Sequence, residues 1–262
     1  MEKELFFENL STFYDKCFEV NKSVPEIVKG YENNEKRDDY DWIGLEKEEI
    51  LKSKFSYKKG LDELAQIQKD VYLGGKNRKY IYDELDGDDM NYERYMDSLP
   101  CLKKRIFKQG SGVGKFITIH VNVSESACVQ YSEMLNKSYT VMRLIDVLED
   151  EGYRVQVLAE SNINKLGPGI ENLHMKVVIK KFEDPLIKGQ ILTAISPWFL
   201  RFWMFHYWTG HFICSGGLGY PAKLNKVSTT SEIYFDSGEA LNEDKATEKI
   251  NNILHLFEKE EN

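Results

Sequence analysis

The chain has 262 residues, of which 42% are hydrophobic and 30% charged, the make-up of a soluble globular protein large enough for one or two domains. Its formal net charge of −8 argues against a broad electrostatic grip on DNA or RNA, where neutralisation of phosphates dominates affinity. No run of about 20 apolar residues occurs, so no membrane span is expected.

The acidic opening MEKELFFENL lacks the basic start and apolar core of a signal peptide. The four cysteines (Cys17, Cys101, Cys128, Cys214) are widely spaced with no C-x-x-C, which suits free thiols in a reducing cytoplasm. Leu5, Phe6, Leu10, Phe13, Tyr14 and Phe18 fall on one face of a predicted first helix. A charged loop at 32–41 follows, then short helices near 48–51 and 60–71, the second aligning Leu61, Leu64, Ile67 and Val71. Gly74-Gly75 and Gly87-Asp-Asp-Met90 mark turns. Residues 1–100 are therefore read as a helical N-terminal region packed on a core, and 101–114 as a basic, glycine-rich linker carrying Lys103, Lys104, Arg105 and Lys108. Gly114-Lys115 is no phosphate loop: Gln109 stands where its first glycine belongs, Phe116 replaces the hydroxyl residue, and a strand follows instead of a helix.

Residues 115–262 read as an α/β core. The apolar run 116–123 (FITIHVNV), an amphipathic stretch with Met134, Leu135, Val141, Met142, Leu144, Ile145 and Leu148, and the run 153–158 (YRVQVL) form a βαβ unit. A loop is expected at 161–172, a strand at 175–179, and helices at about 185–195 and 197–208, opened by Asp184-Pro185 and Ser196-Pro197. Gly216-Gly-Leu-Gly219 is a loop, 232–235 (EIYF) a last strand, and 244–258 a terminal helix with Ile250, Ile253, Leu254 and Phe257 on one side. The predicted fold is a mostly parallel sheet with helices on both faces, Rossmann-like in class.

Asn122-x-Ser124-x-Ser126 ends the first core strand just before a helix. The spacing resembles the Asp-x-Ser-x-Ser metal motif of von Willebrand factor A-type domains, with Asn in place of the anionic ligand. That resemblance implies a degenerate site at Asn122, Ser124 and Ser126 that holds no metal, or Mg²⁺ only weakly. Ligands of such sheets bind beyond the carboxyl ends of the strands, here Asn122, Ser124, Ser126 and Glu160-Ser161. The segment 198–208 is apolar nearly all round, which fits core packing or a partner surface built on Trp198, Arg201, Trp203 and Trp208. His206 and His211, five residues apart, suit no zinc motif.

An ordered series runs over residues 40–258: Trp42-x-Gly44, Gly60, Gly87-Asp-Asp-Met90, Tyr95, Leu99-Pro100, Val121-Asn-Val-Ser124, the passage 141–157, Ser196-Pro197-x-x-Leu200-Arg201 and Gly219-Tyr-Pro221. It resembles a family of uncharacterised bacteriophage and prophage proteins. The resemblance implies a phage protein in the host cytoplasm, with a core similar to a von Willebrand A domain, but supplies no activity; relatives of that fold commonly work as adaptors, and the leading expectation is a non-catalytic adaptor for a protein partner. Two further readings stand beside it. One is a metal-dependent hydrolase or nuclease drawing on Asp86, Asp88, Asp89 or Asp236. The other is a virion or assembly component using the aromatic helix as a subunit interface.

Overall fold

The computed structural model describes residues 1–19, 40–67, 80–84, 89–90, 92–96, 98–105, 115–214 and 218–260. The turns expected at Gly74-Gly75 and Gly87, the loop at 32–39, the glycine run at 110–114 and Gly216 lie outside them.

The chain opens with a strand, β1 (Glu2–Phe7), and the first helix, α1 (Leu10–Phe18), starts only after it. Three short helices follow, α2 (Tyr40–Ile43), α3 (Lys47–Lys52) and α4 (Lys58–Ile67). Next come β2 (Tyr80–Asp83), β3 (Asp89–Met90), α5 (Tyr92–Met96) and β4 (Leu102–Arg105). The core elements are β5 (Phe116–Asn122), α6 (Tyr131–Asp150), β6 (Arg154–Gly167), β7 (Ile170–Lys180) and α7 (Lys188–Ile195). A π-helical segment (Phe199–Met204) runs into α8 (Phe205–His211), followed by β8 (Tyr220–Pro221), β9 (Glu232–Phe235) and α9 (Glu243–Glu260).

Six strands form the main sheet in the order β1-β7-β6-β5-β9, with β8 paired to β6. The pairings β1–β7, β5–β6 and β5–β9 are parallel; β6–β7 and β6–β8 are antiparallel. The βαβ unit and the last strand are therefore where the sequence placed them. Helix α6 ends at Gly152, whose φ of +91° is costly for a residue with a Cβ, and Tyr153 N donates back to Leu148 O at 3.0 Å.

Four expectations change. Residues 2–7 pair with β7 in register Glu2↔Asn172 to Phe7↔Val177, so this segment belongs to the core sheet and not to a helical region. Asn9 caps α1, its side chain accepting from Thr12 N at 2.8 Å, which fixes the helix start after Leu5 and Phe6. Residues 161–172 are not a loop but the two arms of the β6–β7 hairpin, stitched by Asn172 Nδ2 to Asn162 Oδ1 at 2.8 Å and Asn164 Oδ1 at 2.9 Å. Leu102–Arg105, expected in a linker, pairs with β2 and β3 in a separate three-stranded sheet.

The fourth change concerns the layers. On β5, Ile117, Ile119 and Val121 are fully buried under α6 and its neighbours, and alternate with Phe116, Thr118 and His120. The second face carries a polar band, with Glu4 on β1, His174 and Lys176 on β7, Gln156 and Glu160 on β6, His120 on β5 and Tyr234 on β9, beside Phe6, Leu158 and Val178. Among the described residues, helices thus pack on the apolar face, because a polar face gives a helix nothing to bury.

Candidate functional site

The carboxyl end of β5 meets the loop 123–130 and the segment after β9, and each predicted ligand there is engaged internally. Asn122 is fully buried. Its Nδ2 donates to Asp236 Oδ1 at 2.8 Å and to Ala222 O at 2.9 Å, while its Oδ1 accepts from Ser124 N at 3.0 Å. Ser124 Oγ donates to Ser161 Oγ at 2.9 Å and accepts from Asn162 N at 3.1 Å. Ser126 is exposed, its Oγ accepting only from Cys128 N at 3.4 Å. The structure thus brings Asn122, Ser124 and Ser161 together and leaves Ser126 on the surface.

Asp236 accepts from Asn122 Nδ2, from Ser237 N at 2.8 Å, from Leu224 N with both oxygens and from Asn225 N at 3.2 Å. Burial raises its pKa, but these donors outweigh that and hold the carboxyl below the usual range.

A lysine stands at the centre of this edge. Lys137 projects from α6 and is 3% exposed. Its Nζ donates to Asn122 O at 2.8 Å, to Glu125 Oε1 at 2.7 Å and to Asp236 O at 2.7 Å. Glu125 in turn accepts from Ser237 Oγ at 3.2 Å and from Gly238 N at 3.0 and 3.1 Å. The ammonium balances the buried carboxylate, which would otherwise be costly. Among the described residues, no group of three or more His, Cys, Asp or Glu side chains is arranged to hold a metal ion.

A second polar cluster lies on the open face of the same strands. Glu160, buried on β6, is gripped from both sides: His120 Nδ1 on β5 bonds Oε1, and His174 Nε2 on β7 bonds Oε2 at 2.6 Å. Burial would raise the Glu160 pKa, yet the two imidazole bonds and their charge prevail and hold it at about 2. His120 stacks on Tyr234 with ring centroids 4.5 Å apart, and its buried Nε2 has no hydrogen-bond partner among the described residues, with Glu232 Oε1 4.0 Å away. Tyr234 donates to Glu232 Oε2 at 3.0 Å; burial, then that bond, pushes the phenol up to about 12. Lys176 pairs with Glu4 at 2.8 Å beside this cluster. With each Glu160 oxygen engaged and the Nε2 of His120 closed off, the arrangement fastens three strands and orders a polar platform.

The aromatic segment is core. Trp198, Trp203 and Trp208 are buried, packed on Tyr57, Tyr14 and Phe205 respectively, so they offer no surface to a partner. Arg201 is buried too; its guanidinium lies 4.5 Å from the centre of the Trp42 ring and donates to Trp42 O and to Val129 O, the latter at 2.6 Å. Burial lowers its pKa to about 10, with Glu125 acting in the opposite sense. A partner site on Trp198, Arg201, Trp203 and Trp208, and a subunit interface on the same helix, are therefore set aside. His211 stacks on Tyr207 and its Nδ1 donates to Tyr207 O at 2.9 Å, and His206 stacks on Phe202. Asp86 and Asp88 lie outside the described residues, as does the side chain of Asp89.

Sequence reasoning missed Lys137, Glu125, His120 and His174. Signals existed: Lys137 sits three residues after Met134 and four before Val141, squarely on the apolar stripe, and His120 falls on the polar side of the β5 alternation.

The chain belongs to the family described as Domain of unknown function (DUF7192), whose model matches residues 2–261. No curated protein and no solved structure matches it.

Proposed function

We propose that this member of the family is a non-catalytic adaptor, phage-encoded, which binds a protein partner inside the infected cell and works without a metal. The observation that carries this reading is the saturation of the sheet edge. Lys137, Asn122, Ser124 and Asp236 bond one another, Glu125, Ser161 and backbone, so their polar atoms are engaged rather than free to ligate a metal or take up a proton. A metal-dependent hydrolase or nuclease needs free groups of that kind. A von Willebrand A-type core is supported by Asn122-x-Ser124-x-Ser126 at the end of β5, ahead of α6, in a mostly parallel sheet. Phage origin and the host cytoplasm rest on the ordered motif series alone.

The partner surface that fits this reading is the open sheet face around His174 and Lys176. Its side chains are already ordered by Glu160 and Glu4, so docking costs little side-chain entropy. Affinity capture from infected cells, in EDTA, tests this with the wild type and with Lys176→Glu. One stoichiometric protein that survives EDTA and is lost with the variant is the expected result. No captured protein, or capture that EDTA abolishes, would overturn it, and co-purification with particles in many copies would identify a virion component instead.

A further inference from the structure

The surroundings of Lys137 have the make-up of a hard-cation donor set. Two backbone carbonyl oxygens, of Asn122 and Asp236, and one carboxylate oxygen, of Glu125, converge on Nζ at 2.8, 2.7 and 2.7 Å. Calcium takes oxygens of these kinds at about 2.3–2.6 Å, so an ion at the nitrogen position would draw each in by only a few tenths of an ångström. Magnesium, at about 2.0–2.1 Å and strictly octahedral, would require a larger contraction. Both partners of the central ion pair are almost wholly buried, with side chains 3% and 2% exposed. Glu125 is also fixed by Gly238 N and Ser237 Oγ, so its carboxylate would stay aimed at the same point without the lysine.

We infer that the Lys137 ammonium is a tethered cation that holds the loop 123–130 to residues 236–239, and that removing it uncovers a calcium site formed by Glu125 and the carbonyls of Asn122 and Asp236. The inference rests on the metal-free reading above and extends it: the edge is set by a charge that cannot dissociate, whatever the surrounding concentration of divalent ions.

The test compares wild type, Lys137→Ala, Lys137→Met, which keeps the aliphatic packing, and the double variant Lys137→Ala/Glu125→Gln. Thermal unfolding is followed in EDTA, in CaCl₂ and in MgCl₂, with calcium titration calorimetry alongside. The wild type is expected to unfold at one temperature in all three and to bind no calcium. Both single variants should unfold roughly 10 °C lower in EDTA, the cost of an uncompensated buried carboxylate. Calcium should restore at least half of that loss in Lys137→Ala, magnesium less, with one ion bound per chain, whereas Lys137→Met, whose terminal methyl fills the ion's position, and the double variant should bind none. If Lys137→Ala is insoluble, recovery on refolding into calcium but not into EDTA supports the inference, and no recovery in either overturns it. Lysine variants that unfold like the wild type, or a Lys137→Ala deficit that calcium leaves unchanged, would also overturn it. So would calcium binding by the wild type that needs Glu125. No partner enters these assays, so their failure is separate from failure of the capture experiment.

Discussion

The Asn122 side-chain amide donates to the Asp236 carboxylate at 2.8 Å, and the polarity of that bond decides which residue the sheet edge accepts at position 122. An amide supplies the proton; a carboxylate cannot. In the structure the Asn122 amide is engaged by Asp236, Ala222 and Ser124, while the two serines keep the spacing of the motif.

Asn122→Asp is therefore expected to lose roughly 2–4 kcal/mol at pH 7, since two carboxylates in hydrogen-bond contact cannot both ionise. One of the pair then has a folded pKa above its unfolded value, so the deficit shrinks as the pH falls below about 5 and grows as the pH rises. Urea unfolding at pH 7 and pH 4.5, with Asn122→Ala as the neutral comparison, reads this out. A deficit for the aspartate variant that is the same at both pH values would contradict the contact.

Glu160 predicts the opposite pH dependence in the wild type. Its folded pKa of about 2 lies below the ordinary 4.5, so its contribution is fully present above about pH 5 and is lost as the pH falls towards 2. The group is buried, and the contribution is roughly 3 kcal/mol. Asp236 acts in the same sense. Glu160→Gln should flatten the acid limb of the stability profile and, by breaking the grip of His120 and His174, lower stability at pH 7. Equilibrium unfolding at half-unit steps from pH 6 to pH 3 measures both, and an unchanged acid limb would show that Glu160 is not held as described.

Trp203→Ala should behave as a core deletion. The ring is 1% exposed and lies 4.6 Å from the Tyr14 ring and 5.8 Å from the Phe18 ring, centroid to centroid. Truncation is expected to cost about 3–5 kcal/mol in denaturant unfolding. A variant of full stability that fails only in partner capture would return this segment to the surface.

How far the sequence could be read follows from which signals are local. The βαβ unit was legible because the period of β5 and the stripe of α6 are each written within one element, and Gly152 punctuates them. The strand at 2–7 was not, because Leu5, Phe6 and Leu10 fit a helical stripe as well as Lys3, Leu5 and Phe7 fit one side of a strand. Only pairing with β7 settles it, and that is a tertiary contact. The site divides in the same way. Asn122 and Ser124 could be found from a motif, whereas the Lys137–Glu125 pair and the His120–Glu160–His174 row join residues 12, 40 and 14 positions apart, on different elements. Burial of the aromatic segment depends in turn on α1, whose Phe13 meets Phe199 at 5.2 Å.

The pairing of β1 with β7 carries a consequence for the order of assembly. Met1 O accepts from Glu171 N at 3.0 Å, and the whole first strand finds its neighbour only about 170 residues later. The contact closes a long loop, which makes it slower to form than the local hairpin of 154–180. The same strand then forms an outer margin of the finished sheet, where transient opening begins and amide exchange should be fastest among the main-sheet strands.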